Sequence, residues 1–228
     1  MEKVNSPKNL INMEKLQPNS SYHIFNHANG FENIFTEDEN YRFFLDKYQQ
    51  YILPIAETYA YCLLPNHFHL VVRIRRKEVL EEIFRANNFS KVPNFGKVKI
   101  GKVEVTDNMI ERFISKQFAN LFSCYTQSFN KVNKRRGSLF LKNFRREQIA
   151  NKAYFLNAVI YTHRNPVHHV FCDSYTDWGY TSFCEIKEHN SQIIEVDKLL
   201  RMFGGQASFI DLHEQAANKF RESLIADL

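Results

Sequence analysis

Residues His67 to Ile74 alternate strictly between two kinds of side chain, and this alternation constrains the fold more than any other feature of the sequence. One set contains both histidines and the other set is apolar. The sets are His67, His69, Val71 and Arg73 against Phe68, Leu70, Val72 and Ile74. A period of two predicts a β-strand with one face in a core. The two imidazoles then point the same way, about 7 Å apart along the strand, within reach of one metal ion.

Two alternating histidines taken alone also fit the solvent-facing side of an ordinary sheet. The elements around them therefore decide what the strand belongs to. Tyr22 to His27 is typical of a first strand, and a capping box from Thr36 to Glu39 begins a helix that Pro54 ends. Residues 55–64 predict a second strand, and a turn at Pro65 joins it to the histidine strand as a hairpin.

The order strand, helix, strand, strand is the first half of a split βαβ unit. A long aromatic stripe after Thr106 predicts the next helix, and residues 138–149 contain the fourth strand. We therefore expect an α+β fold with a ferredoxin-like or RRM-like antiparallel sheet, helices on one face, and a C-terminal helical extension.

The chain divides into three parts in this interpretation. Residues 1–20 are polar and without periodicity, which predicts a flexible N-terminal arm. Residues 21–185 form the main domain, interrupted by an inserted excursion at residues 89–106 that contains Pro and Gly. Residues 186–228 form helices that could pack on the core, contact a second subunit or touch DNA.

Composition favours some classes of function and excludes others. The net charge of +5 and the pI near 8.9 suggest a polyanionic partner, although basic clusters are often only solvated surface. The four cysteines are scattered without a Cys-x-x-Cys pair, so we expect no zinc site, no disulfide framework and a reduced, cytoplasmic protein. No apolar run reaches membrane-spanning length, and the polar N-terminus is not a signal peptide.

A helix predicted from Asn151 to about Arg164 carries the second group of functional candidates. Tyr161 lies off its buried stripe, and Asn165 follows one turn later on the same face. Pro166 disfavours helical backbone at Asn165, so the pair should lie at the helix end. An asparagine carbonyl there can complete a metal site, and a tyrosine beside it can reach a phosphate held by the same ion.

Two separate stretches resemble one known family. Residues Tyr61 to Val72, with His67 and His69, resemble the His-hydrophobic-His motif of the HUH single-tyrosine transposases, especially the REP-associated tyrosine transposases. Residues Tyr161 to Val167 are similar to the Tyr-Ile-His-x-Asn-Pro-Val motif of their catalytic helix, apart from Thr162 in place of an aliphatic residue. The resemblance covers residues 21–183, and its two motifs lie far apart in the chain.

The resemblance implies an enzyme that nicks and rejoins single-stranded DNA through a 5′-phosphotyrosine and recognises DNA hairpins. It implies Tyr161 as the nucleophile and His67, His69 and Asn165 as ligands of Mg²⁺ or Mn²⁺. Members of the family act as monomers or homodimers. The basic residues expected to contact DNA are Arg73, Arg75, Arg76, Lys77, Lys134, Arg135, Arg136, Arg145 and Arg146.

Other assignments stay open at this point. The chain could be a hairpin DNA-binding protein that has lost catalysis, or a metal-dependent hydrolase unrelated to DNA. Four further tyrosines compete with Tyr161 for the nucleophile; they are Tyr59, Tyr61, Tyr125 and Tyr154. His23 and His27 lie far from the main motif in sequence, and we interpret them as structural. Asn66 is interpreted as a turn residue.

Overall fold

The computed structural model describes residues 14–89 and 104–226. Its four strands are β1 (Ser21–His27), β2 (Ala56–Leu64), β3 (His67–Ile74) and β4 (Arg145–Gln148). The helices of the first part are α1 (Asp38–Tyr51), α2 (Lys77–Phe89) and α3 (Asp107–Val132). The later helices are α4 (Lys152–His168), α5 (Phe183–Lys187), α6 (Val196–Phe203) and α7 (Gln206–Ala226).

The four strands form one antiparallel sheet in the order β2-β3-β1-β4. This is the ferredoxin-like order, in which the histidine strand β3 is central and pairs with β1 on one side and β2 on the other. Every residue of β1 is paired with a residue of β3, from Ser21 opposite Arg73 to His27 opposite His67. The expected α+β class and antiparallel sheet are confirmed.

Helices cover the two faces of the sheet unequally. On the apolar face, α1 packs beside α3, and Phe44 of α1 contacts Phe68 of β3 at 5.4 Å between ring centroids. On the other face, which carries the histidines, α4 packs across β2 and β3. The expectation of helices on one face therefore needs correction for α4. The reason is that β2 is buried along almost its whole length, and a strand buried on both faces needs cover on both.

The predicted N-terminal arm is too long. Leu16 is completely buried in the core. The hydroxyl of Tyr22 donates to the carbonyl of Lys15 at 3.0 Å and accepts from the amide of Gln17 at 2.9 Å. Residues 14–20 are thus held against the domain, and the rest of the predicted arm, residues 1–13, lies outside the described residues.

The predicted excursion at residues 89–106 lies mostly outside the described residues, and its two ends belong to helices. Residue Phe89 ends α2. Thr106 caps α3 by accepting a hydrogen bond from the amide of Met109. The capping box of α1 also lies one residue later than expected, because Glu37 is the N-cap and Asn40 is its partner.

The C-terminal helices pack on the outer side of α4. Both α6 and α7 contact α4, and Phe209 of α7 is completely buried in the same core as the sheet. The two helices are separated at Gly204, whose φ of 85° is in the left-handed region that favours glycine. Helix α4 is therefore enclosed between the sheet and the extension.

Two further observations bear on the expectations from composition. All four cysteines are free; Cys62 is buried and the other three are partly exposed. In the part of the chain that the structure describes, every helix is too short or too polar to cross a membrane.

Candidate metal and tyrosine site

Helix α4 brings Tyr161 and Asn165 to the histidine face of β3. The ring of Tyr161 lies 5.7 Å from the ring of His69, edge to face. The side chain of Asn165 interacts with His67 one helical turn further along. The two sequence motifs, which are far apart in the chain, therefore meet at one place on the sheet.

Both strand histidines are buried and suited to bind a cation. His67 and His69 are each 6% exposed, and their ring centroids are 5.3 Å apart. Burial lowers the pKa of His67 to about 4 and, together with the neighbouring imidazoles, holds the pKa of His69 well below its ordinary value. Both rings are thus neutral near pH 7, which is the form that binds metals.

The tautomer of His67 is fixed by its neighbour in the turn. Its Nδ1 lies 2.7 Å from Oδ1 of Asn66. A carbonyl oxygen only accepts, so Nδ1 of His67 carries the proton and Nε2 keeps its lone pair. Asn66 is therefore more than the turn residue we predicted, because it also orients His67.

Asn165 has an oxygen atom that lacks a partner. The side chain is completely buried, and its Nδ2 donates to the carbonyl of Tyr161 at 3.3 Å. Its Oδ1 makes no hydrogen bond of normal geometry with any described residue, although the side chain lies close enough to His67 to raise the pKa of that ring. An unpaired buried carbonyl oxygen beside a neutral imidazole fits a site for a divalent cation.

The helix around Asn165 is longer than the sequence predicted. Backbone of α4 stays helical to His168, so Pro166 lies inside the last turn. Proline lacks an N–H and costs this turn one hydrogen bond. Packing against the sheet on one side and the C-terminal helices on the other outweighs that loss, and Asn165 keeps the same helix face as Tyr161.

Tyr161 differs from the competing tyrosines in exposure. The residue is 43% exposed, at the surface of the site. The four competitors are engaged elsewhere: Tyr59 with Glu57, Tyr61 with Glu185, Tyr125 with the carbonyl of Ile34, and Tyr154 with Glu147. Among these five, Tyr161 is the tyrosine that can meet a ligand from solvent beside the two histidines.

His23 and His27, which are remote from the main motif in sequence and were interpreted as structural, lie beside the two histidines of β3. Nε2 of His23 lies 2.9 Å from Nδ1 of His69, and the ring of His27 stacks on His67 at 5.3 Å. The ferredoxin-like order contains the missed signal, because it pairs β1 with β3. His23 and His27 are four residues apart on one strand, so both fall on the face that carries His67 and His69.

Two more histidines follow Asn165 at the end of α4. The ring of His169 lies 4.5 Å from that of His67, and the ring of His168 lies 5.7 Å from that of Tyr161. Despite this density of imidazoles, no group of three or more His, Cys, Asp or Glu side chains in residues 14–89 and 104–226 has the arrangement of a metal site. The candidate ligand set instead combines two histidines with one asparagine.

The basic residues predicted to contact DNA fall into two groups. Five are exposed: Arg73, Arg76, Lys134, Arg136 and Arg145. Four are partly buried and held by intramolecular contacts: Arg75 by the carbonyl of Leu53, Lys77 by Asp107, Arg135 by Glu32, and Arg146 over the ring of Phe144. The second group stabilises loops and strand ends as well as contributing positive charge.

One exposed arginine shares the face of the site. Arg145 of β4 is directly opposite Phe25 of β1 in the antiparallel register, and such pairs point to the same side of a sheet. The ring of Phe25 in turn stacks on His69 at 5.4 Å between centroids. The half of this face formed by β1 and β4 thus offers a positive charge beside the histidines and is contiguous with Tyr161.

Comparisons with known proteins give one distant likeness. No family model matches the chain, and no curated protein matches it. A solved structure of a REP-associated tyrosine transposase bound to a REP hairpin is similar in fold, with a TM-score of 0.47 and 14% sequence identity. The likeness covers 86% of this chain and 90% of that one.

Proposed function

We propose that this protein is a single-tyrosine DNA transposase, which nicks and rejoins single-stranded DNA with Tyr161 as nucleophile and a divalent metal at His67, His69 and Asn165. The observation that carries the proposal is the meeting of Tyr161 and Asn165 on α4 with the two histidines of β3. A hydrolase unrelated to DNA would have no use for an exposed tyrosine at this point.

The ligand set fits a small divalent ion. Two neutral imidazoles and an unpaired amide oxygen supply mixed nitrogen and oxygen donors, which Mn²⁺ accepts more readily than Mg²⁺ does. When bound, such an ion polarises a phosphate oxygen and stabilises the charge that develops in the displacement. His67, His69 and Asn165 serve to hold it next to the surface where Tyr161 is exposed.

The role of Tyr161 is to exchange one phosphate ester for another. Its Oη forms a bond to the scissile phosphorus and loses its proton, while the bond from phosphorus to the 3′-oxygen breaks and that oxygen gains a proton. The 5′-phosphotyrosine keeps the energy of the broken bond, so a 3′-hydroxyl can reverse the step and rejoin a strand. A neutral phenol is a weak nucleophile, so the proposed reaction of Tyr161 draws on the charge of a bound divalent ion.

The DNA must be single-stranded at the scissile bond for Tyr161 to reach it. Phe25 and Arg145 on the neighbouring half of the same face suit a strand that stacks a base and neutralises a phosphate. The hairpin that the family resemblance implies would then lie towards β4 and the exposed basic residues that precede it, Lys134 and Arg136.

Covalent capture tests the proposal. The protein is incubated with Mn²⁺ and single-stranded hairpin oligonucleotides from the DNA that flanks its gene, and the products are separated on a denaturing protein gel. We expect a protein–DNA band that Tyr161→Phe abolishes. Tyr154→Phe, on the same helix but bonded to Glu147, is the matched control and should keep the band.

The second candidate function is that of a catalytically inactive hairpin-binding protein of the same fold. One observation favours it: the exposed basic residues could bind a DNA hairpin without any reaction at Tyr161. Retained hairpin binding without any covalent band in the wild-type protein would support it. An equal band with Tyr161→Phe would instead show that another residue is the nucleophile.

A further inference from the structure

The hydrogen bond between His23 and His69 indicates how His69 is oriented towards the proposed metal ion. This inference rests on the proposed function. His23 is 6% exposed, and its Nε2 lies 2.9 Å from Nδ1 of His69. The rings are nearly parallel, with centroids 5.1 Å apart. Across the β1–β3 pair His23 is opposite Val71, so it reaches His69 diagonally on the same face.

This contact allows only two proton arrangements between neutral rings. In one, Nδ1 of His69 carries the proton and donates it to His23, which leaves the lone pair on Nε2 of His69. In the other, Nε2 of His23 is the donor, and the proton of His69 moves to its own Nε2.

Only the first arrangement gives a usable ligand. Nδ1 of His69 is occupied by His23, so a metal can approach this ring only through Nε2, and Nε2 must then be free of a proton. His67 has the same arrangement, because Asn66 holds its Nδ1–H. Metal-binding histidines generally donate their other ring N–H to such a partner, which fixes the tautomer and orients the ring.

We propose that His23 is a positioning residue that accepts the Nδ1 proton of His69 and thereby presents Nε2 of His69 to the metal. His23 does not touch the metal or the DNA in this role. His23 accepts the Nδ1 proton of His69, as Asn66 accepts the Nδ1 proton of His67. Each of the two histidines of β3 thus has its own acceptor, one from β1 and one from the turn before β3.

The tautomer is measured first, on the metal-free full-length wild-type protein labelled with ¹⁵N-histidine. Long-range ¹H–¹⁵N spectra distinguish a ring nitrogen that carries a proton from one that does not. We expect His69 to be protonated at Nδ1 and unprotonated at Nε2. A proton on Nε2 of His69 would overturn the proposal without any mutation.

Metal affinity is measured next by calorimetric titration with Mn²⁺ alone. We expect His23→Phe, which removes the acceptor and keeps an aromatic ring, to bind Mn²⁺ about 10- to 100-fold more weakly. His23→Gln, whose amide oxygen can accept the same proton, should recover a large part of that loss. His27→Phe is the matched control, because the ring of His27 stacks on His67 but, within the described residues, hydrogen-bonds to the carbonyl of Ala28 and not to His67 or His69.

The outcomes separate this inference from the proposed function. If the wild-type protein binds no Mn²⁺ but His69 has the Nδ1–H tautomer and loses it in His23→Phe, the metal site fails and the role of His23 in fixing the ring stands. If the protein binds Mn²⁺ and His23→Phe binds it equally well, the metal site stands and His23 has no positioning role. Circular dichroism and the Tm of each variant establish that it is folded.

Discussion

Two buried side-chain oxygens on α4 lack a hydrogen-bond partner within the described residues, Oδ1 of Asn165 and Oγ1 of Thr162. Both oxygens lack a hydrogen-bond partner among those residues, but their surroundings differ. Asn165 interacts with His67 at the site, whereas Thr162 stands where the family resembled by this sequence usually has an aliphatic residue. An unpaired buried polar group costs about 1–3 kcal/mol, and the proposed metal ion would offset that cost at Asn165.

Asn165→Ala should separate metal binding from folding. Because Oδ1 accepts no hydrogen bond from any described residue, we expect the folded state to survive without the amide. Mn²⁺ at 100 times its Kd stabilises a protein by about 2.7 kcal/mol, and the variant should lose most of that gain. The measurement is the free energy of unfolding by urea with and without Mn²⁺.

Thr162→Val is the matched control on the same helix. It removes the other unpaired oxygen, keeps the branched shape, and should retain the full stabilisation by Mn²⁺. If Asn165→Ala were stabilised by Mn²⁺ as strongly as the wild-type protein and Thr162→Val, Asn165 would not be a ligand.

At the scale of elements, a series of buried hydrogen bonds links α4 to α7 and to Ser182. Nδ1 of His213 donates to the carbonyl of Phe209 at 2.7 Å, so its Nε2 accepts from Nδ1 of His163 at 2.9 Å. Nε2 of His163 then accepts from the hydroxyl of Ser182 at 2.8 Å. Every proton in this series of hydrogen bonds has one possible position while both rings are neutral. The helix that carries Tyr161 is thus held from its outer side by neutral histidines.

Stability should therefore depend on pH through His213. Burial lowers its pKa from 6.5 to about 4, the Phe209 carbonyl opposes this, and the charge of Arg164 lowers the pKa further. Burial, followed by His213, also holds the pKa of His163 well below its ordinary value. Because the unfolded chain binds the proton more readily, the stabilisation is complete above pH 6.5 and is lost as the pH falls towards 4.

Urea unfolding at pH 7.5 and pH 5 measures this loss. We expect the share of His213 to be about 2 kcal/mol, and His213→Gln, which can keep both hydrogen bonds, should show a pH dependence smaller by about that amount. An unchanged difference between the two pH values in His213→Gln would mean that His213 does not titrate in this range.

The sequence predicted elements well where the pattern is local, and less well where partners come from elsewhere. The alternation in β3 and the aromatic stripe of α3 depend on neighbours in sequence, and both elements appear close to the predicted bounds. The position of His23 depends on which strands pair, and the end of α4 depends on packing by α6 and α7. No local rule contains that information, so the position of His23 and His27 beside the site and the helical turn through Pro166 were not predicted.

The sequence likewise predicted the parts of the candidate site that depend on local spacing, but not the contacts between distant segments. His67 and His69 share a face by periodicity, and Tyr161 and Asn165 share a helix face by their spacing. Only the family resemblance predicted that these two faces meet. Neither the spacing nor the resemblance predicted that Asn66 and His23 act as hydrogen-bond acceptors for the two strand histidines. The sequence also could not distinguish exposed arginines from those held by loops, because Arg75 and Arg135 owe their contacts to distant segments.

At the scale of the whole molecule, the distribution of charge predicts how DNA binding responds to salt. The net charge is +5, and Arg145 is exposed on the site face of the sheet. Arg145→Ala should weaken binding of hairpin DNA irrespective of loop sequence and reduce the slope of log K against log salt by about one. Fluorescence anisotropy over a range of salt concentrations gives both quantities.

Arg42→Ala provides the control for Arg145. Arg42 is equally a surface arginine, but it lies on α1, which covers the opposite face of the sheet. It should leave the salt slope unchanged. An equal loss of affinity in both variants would mean that the DNA does not lie on the face of the site.

Peptide mass spectrometry of the linked protein tests most directly the proposed covalent linkage of Tyr161 to DNA. Trypsin releases the peptide Ala153–Arg164, which contains both Tyr154 and Tyr161. After nuclease trimming, fragmentation of this peptide locates the residual nucleotide on one residue. We predict that the nucleotide is on Tyr161 through its phosphate. A nucleotide on Tyr154 or on any other peptide would contradict the assignment of the site.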